Sequence, residues 1–122
     1  MATARIINET KGADLARRAR VADRFFSRMW GLLGRSDLPQ GDGLIIVPCR
    51  SVHGAFMRFA LDVLFLDRQG VVRHQMRLRP WHFSPVVAGA HLVLELPDGM
   101  IAHTATSVGD VIRILPEGND EA

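Results

Sequence analysis

The sequence contains little cysteine and no long hydrophobic run. Cys49 is the only cysteine among 122 residues, so the chain cannot form an internal disulfide bond. A single thiol is typical of a reducing compartment, and we expect the protein in the cytoplasm. Residues 1–20 lack the apolar core of a secretory signal. The apolar runs also stop well short of the roughly 18 residues that a membrane-spanning helix needs, which predicts a soluble protein.

The chain also lacks a strong excess of either charge. Lys and Arg number 15 and Asp and Glu number 13, for a formal net charge of +2. The densest basic stretch, residues 17–28, is interrupted by Asp23, so a solvated protein surface is its simplest interpretation. We therefore expect no nucleic-acid partner, no membrane partner, and a monomer or weak dimer. The length predicts one globular domain over residues 1–115 and a flexible acidic tail over 116–122.

Short apolar segments separated by turn residues predict a chain composed mainly of β-strands. The segment DRQG at 67–70 predicts a β-hairpin between two of these strands. The candidate strands are residues 4–8, 15–22, 44–47, 51–59, 61–67, 71–78, 90–97 and 108–115.

Two helices are predicted among these strands. Asp23 is a candidate N-cap for a main helix over residues 24–34, whose apolar residues recur at helical spacing. Asp98 is a candidate cap for a short helix that ends near Thr104. The sum predicts an α+β fold that is mostly β: a single small domain with a curled or barrel-like mixed sheet, one main helix near the N-terminus and one short helix near the C-terminus.

The order of several short motifs resembles the family known as domain of unknown function 192. The motifs are GLLGR, GDGLIIVPCRSVH, FMRFALDVLFLD, GVVR, LRPW, VLELPDG and VGDVI, which together span roughly residues 15–115. The resemblance implies a small, mixed, barrel-like α+β domain from a mostly prokaryotic family to which no activity is assigned. Met57, Arg58 and Asp62 match the core motif of the family, whereas Ala60 stands where a proline is common.

Polar side chains within the apolar segment 51–67 are the best candidates for a binding site. On a straight strand, Arg58 and Asp62 would share a face about 13 Å apart, and a break near residues 59–61 would bring them together. We therefore predict a small binding module, with a cleft for a small polar or anionic ligand or for a peptide. The predicted ligand-binding residues are His53, Met57, Arg58, Asp62 and Trp81.

Several alternatives remain open from the sequence alone. Asp62 could instead accept hydrogen bonds from backbone N–H groups as a structural cap, and Trp81 could be a plug over one end of the barrel. A small hydrolase that uses Asp62 and His53 as acid–base groups is the enzymatic alternative. A structural partner in a larger complex, which would show an exposed apolar patch, is a third.

Catalytic and metal motifs are weak in this sequence. A dyad of Cys49 and His53 would be about 13 Å apart on a straight strand, too far for proton transfer. The five histidines are scattered without the spacing of a zinc motif. We therefore predict no catalytic residues, no metal and no cofactor, and we expect an unidentified small ligand or protein as the partner.

Overall fold

The computed structural model describes residues 3–22, 38–55 and 57–117. These residues form seven strands in one sheet and one short helix. Within the described ranges no helix is long and apolar enough to cross a membrane. The elements are β1 (Thr3–Asn8), β2 (Ala13–Ala22), β3 (Asp42–Ile46), β4 (Leu61–Leu66), β5 (Val72–Leu78), β6 (Leu92–Pro97), α1 (Met100–Thr104) and β7 (Ile112–Pro116).

The sheet is a mixed, curled half-barrel with the strand order β5-β4-β6-β3-β2-β1-β7. Only the β2–β3 pair is parallel among these neighbours, and the other pairs are antiparallel. The two edge strands meet at one end, because Val71 and Val111 form an antiparallel bridge. Hydrogen bonds from Val72 N–H to the Asp110 carbonyl and from Ile112 N–H to the Gly70 carbonyl reinforce that contact. The sheet therefore curls until its edges touch at that end.

The predicted fold class is wrong for the described part of the chain, which is mostly β with no main helix. The helix predicted over residues 24–34 lies outside the described residues. In the described residues the only helix is α1, five residues long. The core is assembled by strand pairing, and β2 continues to Ala22, which pairs with Ile46 of β3. The described core is therefore built from strands, the loops that cover them and α1.

The short late helix is present, but its start differs from the prediction. Gly99 is the N-cap residue, in a left-handed conformation at φ 94°, and provides no side-chain hydrogen bond. Asp98, the expected cap, instead forms an ion pair with Arg77 at 2.8 Å. A glycine tolerates this conformation without steric strain, so it can turn the chain directly into the helix.

Both faces of the central strands are buried, which explains their continuous apolar sequences. Every residue of β4 is buried, and its side chains alternate between two clusters. Leu64 and Leu66 lie on what we call the inner face, where side chains of both sheet edges and Met100 of α1 also pack. Val63 and Phe65 lie on the opposite, loop-covered face.

Two loop segments, residues 48–60 and 79–91, cover that second face, and we call them the covering layer. Val52, Val87 and Ala90 of these segments pack into the cluster beneath. The segments are also joined to each other by backbone hydrogen bonds, among them Gly54 N–H to the His82 carbonyl at 2.8 Å. A side chain at Gly54 would collide with the Arg79 carbonyl oxygen, so glycine permits this close approach.

Candidate functional site

Two predicted site residues, His53 and Trp81, lie together in the covering layer. The His53 ring lies 6.3 Å from the Phe83 ring, and His53 Nδ1 accepts a hydrogen bond from the Ala55 N–H at 3.3 Å. The Trp81 side chain is 59% exposed, and the Trp81 backbone N–H donates to the Gly54 carbonyl at 2.7 Å. The structure thus brings these two residues to one surface outside the sheet.

Met57 and Arg58 diverge, although they are neighbours in sequence. Met57 is buried in the cluster beneath the covering layer, and its backbone N–H donates to the Gly54 carbonyl at 3.2 Å. The chain bends at residues 58 and 59, and Arg58 is exposed. Within the described residues the Arg58 side chain forms no ion pair. Arg58 is therefore accessible to a ligand, whereas Met57 packs into the core.

Asp62 lies on the inner face of the sheet, away from the covering layer. It is 5% exposed, and its Oδ2 accepts a hydrogen bond from the Ile101 N–H at 2.7 Å. Burial raises the pKa of Asp62, and the N–H groups of Ile101 and Gly99 offset only part of that rise. Asp62 therefore binds the free N–H groups at the start of α1. This is a backbone-capping role, but the donor is 39 residues away rather than in a local turn.

The residue pairs that the predicted site requires are not assembled. Arg58 belongs to the covering layer and Asp62 to the inner face, and within the described ranges no ion pair joins them. His53 and Asp62 are also separated by the sheet. The acid–base pair of the hydrolase alternative therefore has no geometric basis in these two side chains, because proton transfer needs hydrogen-bond reach or one intervening water.

Asp67 is a buried carboxylate that the sequence indicated only as the first residue of a turn. Its Oδ1 accepts hydrogen bonds from Gln69 N–H and Val71 N–H, both at 2.9 Å. Its Oδ2 accepts one from Arg73 Nε at 2.8 Å. Desolvation opposes ionisation, but these donors together hold the pKa of Asp67 below its usual value. Asp67 therefore fixes the turn between β4 and β5.

Asp110 has a similar role in the turn before β7, which meets the end of the β4–β5 turn where the two sheet edges touch. Its carboxylate accepts hydrogen bonds from Asn8 Nδ2 and Lys11 Nζ, both at 2.9 Å, and from Ser107 N–H at 3.0 Å. Asn8 also donates to Thr106 Oγ1 at 3.0 Å. Desolvation opposes ionisation, but the Asn8, Lys11 and Ser107 donors lower the pKa of Asp110. This buried cluster ties the β1–β2 hairpin to the chain before β7.

A pocket of about 420 Å³ opens where three strands of the sheet end or begin. Because β3 and β4 both run antiparallel to β6, their last residues flank its first residues. Cys49 N–H donates to the His91 carbonyl at 2.9 Å, and His91 N–H donates to the Leu66 carbonyl at 2.7 Å. These bonds fasten the pocket walls to the sheet. The pocket is lined by Pro48, Cys49, Arg50, Arg68, Ala90 and His91.

Two arginines line the pocket, and no Asp or Glu is among its lining residues. Neither Arg50 nor Arg68 forms an ion pair or a side-chain hydrogen bond with any described residue. The Cys49 thiol donates to the Ser51 carbonyl at 3.0 Å. His91 adds an imidazole to the wall. The chemistry of the lining therefore favours a negatively charged ligand.

A second cavity, of about 300 Å³, lies between β2, α1 and the turn before β3. Its polar side chains are mixed in charge, and Asp14 forms an ion pair with Arg5 at 3.0 Å. In the described ranges no group of three His, Cys, Asp or Glu side chains is placed to hold a metal ion. The cavity is lined by Asp14, Leu15, Ala16, Arg17, Gln40, Gly41, Met100 and His103.

Sequence reasoning missed Arg50, Arg68 and His91 because nothing in the local sequence distinguishes them as site residues. Arg50 lies within a family motif, Arg68 within a turn segment, and His91 is one of five scattered histidines. The signal that could have found them is the position of each residue at the end or start of a predicted strand. Arg50 follows a predicted strand, Arg68 follows another, and His91 opens a third. Once β3 and β4 are known to flank β6, these three side chains must gather at one edge of the sheet. The strand order, which the sequence does not state, was needed to see this.

Comparison with known proteins finds relatives that are named only as UPF0127 proteins. An UPF0127 protein of Pyrococcus furiosus is 36% identical over 110 residues, which cover 86% of this chain and 93% of the relative. An UPF0127 protein of Thermococcus sibiricus is 35% identical over 112 residues, which cover 88% of this chain and 72% of the relative. Both relatives are archaeal.

Two crystal structures share the fold. A protein of unknown function from Novosphingobium aromaticivorans matches with a TM-score of 0.75 at 19% identity, over 91% of this chain and 83% of the other. A putative transcription regulator from Sinorhizobium meliloti matches with a TM-score of 0.73 at 22% identity, over 93% and 92%. The family model DUF192, described as an uncharacterised ACR, matches residues 6–114. The chain therefore belongs to the DUF192 family, as its motifs indicated.

Proposed function

We propose that this chain is a small-anion-binding module and that the 420 Å³ pocket beside Cys49 is its binding site. One observation carries the proposal. Two guanidinium groups, those of Arg50 and Arg68, line one concavity and have no carboxylate partner among the described residues. An anion between them would relieve their mutual repulsion and accept their N–H donors.

The size and lining of the pocket favour a phosphate or carboxylate group on a small organic molecule. Pockets for small ligands usually measure roughly 300–1,000 Å³, so this one is at the small end. Guanidinium groups bind such planar or tetrahedral oxyanions through paired N–H donors. His91 and the Cys49 thiol provide additional polar groups at the wall, and Ala90 and Pro48 provide apolar surface.

This proposal keeps the predicted binding role but moves the site. Of the predicted ligand-binding residues, Asp62 is bonded to α1 and Met57 is buried in the core. Arg58 remains a candidate anion contact, because it is exposed and forms no ion pair with a described residue. Arg58 does not line the pocket, so substitutions at Arg58 and at the two pocket arginines test the two candidate sites separately.

The single thiol makes the pocket easy to monitor. Because Cys49 is the only cysteine, its alkylation by the neutral reagent iodoacetamide reports on this pocket alone. Inorganic phosphate and phosphomonoesters should slow that alkylation and raise the melting temperature. A ligand at about 100 times its dissociation constant should add ~2.7 kcal/mol to the free energy of unfolding.

Matched variants distinguish anion binding in the pocket from a general effect of positive charge on the protein. Arg50→Gln and Arg68→Gln should each weaken protection of Cys49 by phosphate about tenfold, as expected for a lost charge-assisted hydrogen bond. Arg18→Gln removes the same charge from an exposed position on β2 and should leave protection unchanged. Equal losses in Arg18→Gln and Arg50→Gln, or no protection by any phosphate compound, would contradict the proposal. Loss in Arg58→Gln alone would return the site to the segment predicted from sequence.

A further inference from the structure

The covering layer has exposed apolar side chains concentrated on one loop. Phe83 is 74% exposed and Val86 is 70% exposed, and Trp81 shares that loop. Among the described residues, Val108 is the only other large apolar side chain of comparable exposure, at 58%, and it lies in the loop before β7. Such clustering is uncommon on a soluble surface and usually marks a contact site.

The charges around these side chains have one sign. Residues 48–60 and 79–91 contain three arginines and no Asp or Glu. Arg50, Arg58 and Arg79 are all exposed, and none of them forms an ion pair with a described residue. The covering layer therefore combines apolar side chains with unbalanced positive charge. A complementary surface would be negatively charged at its face and apolar just below it.

We propose that the covering layer docks on the surface of an anionic phospholipid bilayer, with Phe83 and Val86 entering the boundary between headgroups and acyl chains. The arginines would contact phosphate groups while the apolar side chains leave water. A tryptophan beside them is suited to the interface, because its ring is apolar and its N–H is a donor. The inference goes beyond the proposed pocket. Of the side chains invoked for it, only Arg50 also lines that pocket, and the variants that test the docking surface leave Arg50 in place.

The exposed area favours a lipid surface over a protein partner. Trp81, Phe83 and Val86 together expose on the order of 400 Å². A stable protein interface buries about 800 Å² per partner, and one loop does not supply that. A fluid interface can instead be entered by a single loop. The expectation of no membrane partner rests on the balanced charge of the whole chain and on the absence of a long apolar run. Neither property bears on a surface contact through one loop.

Vesicle sedimentation tests this docking surface. The full chain should pellet with vesicles of phosphatidylcholine and phosphatidylglycerol at low salt, and not with phosphatidylcholine alone. The double variant Phe83→Ser/Val86→Ser should lower the partition coefficient by at least about tenfold, because two apolar side chains no longer leave water. Val108→Ser removes an apolar side chain that is 58% exposed and lies outside the covering layer, and it should leave partitioning unchanged.

The charge is tested in the same assay. Arg58→Gln and Arg79→Gln should each weaken partitioning about fivefold, whereas Arg18→Gln should have little effect. No pelleting with anionic vesicles, or pelleting insensitive to Phe83→Ser/Val86→Ser, would overturn the proposal. Tighter binding to single-stranded oligonucleotide that competes with vesicles would also overturn it, in favour of nucleic acid. If vesicle binding fails while phosphate still protects Cys49, the docking surface falls and the anion pocket stands.

Discussion

The charged groups at the inner face and its turns differ from those of the covering layer. At the inner face and its turns, buried carboxylates receive hydrogen bonds from the chain itself, as Asp62 does from Ile101 and Asp110 from Asn8. In the covering layer, the arginines are exposed and have no carboxylate partner among the described residues. A charged group that already has hydrogen-bond partners within the fold contributes to stability. A charge that the fold leaves unsatisfied is available to a partner.

The largest effect that this comparison predicts is at Asp110. Asp110→Ala should lower the free energy of unfolding by about 3 kcal/mol, because Asn8 and Ser107 lose their acceptor and Lys11 loses its counter-ion in a buried cluster. Equilibrium unfolding in urea measures this directly. Stability is the suitable measurement because Asp110 does not line the proposed pocket.

An exposed carboxylate provides the matched control. Asp14→Ala removes a partner of Arg5 in an ion pair whose two side chains are both about half exposed, and it should change stability by less than about 1 kcal/mol. If Asp14→Ala and Asp110→Ala destabilise equally, the buried cluster is not a stabilising feature and the comparison fails on the inner side.

A smaller effect is expected in how the free energy of unfolding changes with pH. The pKa of Asp62 is raised above 3.8 by burial, so its contribution to stability is fully present below 3.8 and is lost as the pH rises through the folded-state pKa. The pKa values of Asp67 and Asp110 are lowered, so their contributions are present above 3.8 and are lost as the pH falls.

Asp62→Asn isolates the first of these trends. At neutral pH the variant should lie within about 1 kcal/mol of the wild type, because the amide oxygen can still accept from Ile101. Unfolding free energies measured from about pH 4 to about 7 should show a more positive slope in the variant, since the falling contribution is removed. A shallower slope in Asp62→Asn would show that Asp62 is stabilised as a carboxylate.

The smallest effect is expected in the covering layer. Arg58→Gln and Arg79→Gln should change the free energy of unfolding by less than about 0.5 kcal/mol, because neither side chain has an ion-pair partner among the described residues. Arg73→Gln should cost about 1 kcal/mol, because its guanidinium pairs with buried Asp67. Thermal or urea unfolding distinguishes the two cases, and a larger loss in Arg58→Gln would show a structural partner for that cation.

From the sequence one local pairing was predicted, and no long-range pairing was. The hairpin at residues 67–70 is confirmed, since β4 and β5 pair antiparallel on either side of that turn. The strand predicted over residues 51–59 is instead a loop with one isolated bridge at His53. Val52, Met57 and Phe59 of this segment pack against the sheet from outside. Alternation alone does not distinguish a strand in a sheet from a segment that covers one.

The candidate site shows the same limit. Asp62 stands out in the sequence as a polar residue in an apolar segment, and it is bonded to a helix that begins far along the chain. Arg68 and His91 are unremarkable in the sequence and become neighbours only through the order of β3, β6 and β4. Residue types predicted that some charges would matter, but strand order decides which of them meet.

The turn that Asp67 fixes has a consequence for the proposed anion pocket. Two backbone N–H groups and one guanidinium already hold that turn, and Arg68 is the next residue. The backbone that carries Arg68 is therefore ordered before any ligand arrives. An incoming molecule would restrict only rotamers of the side chain, so the entropy lost on association is kept small.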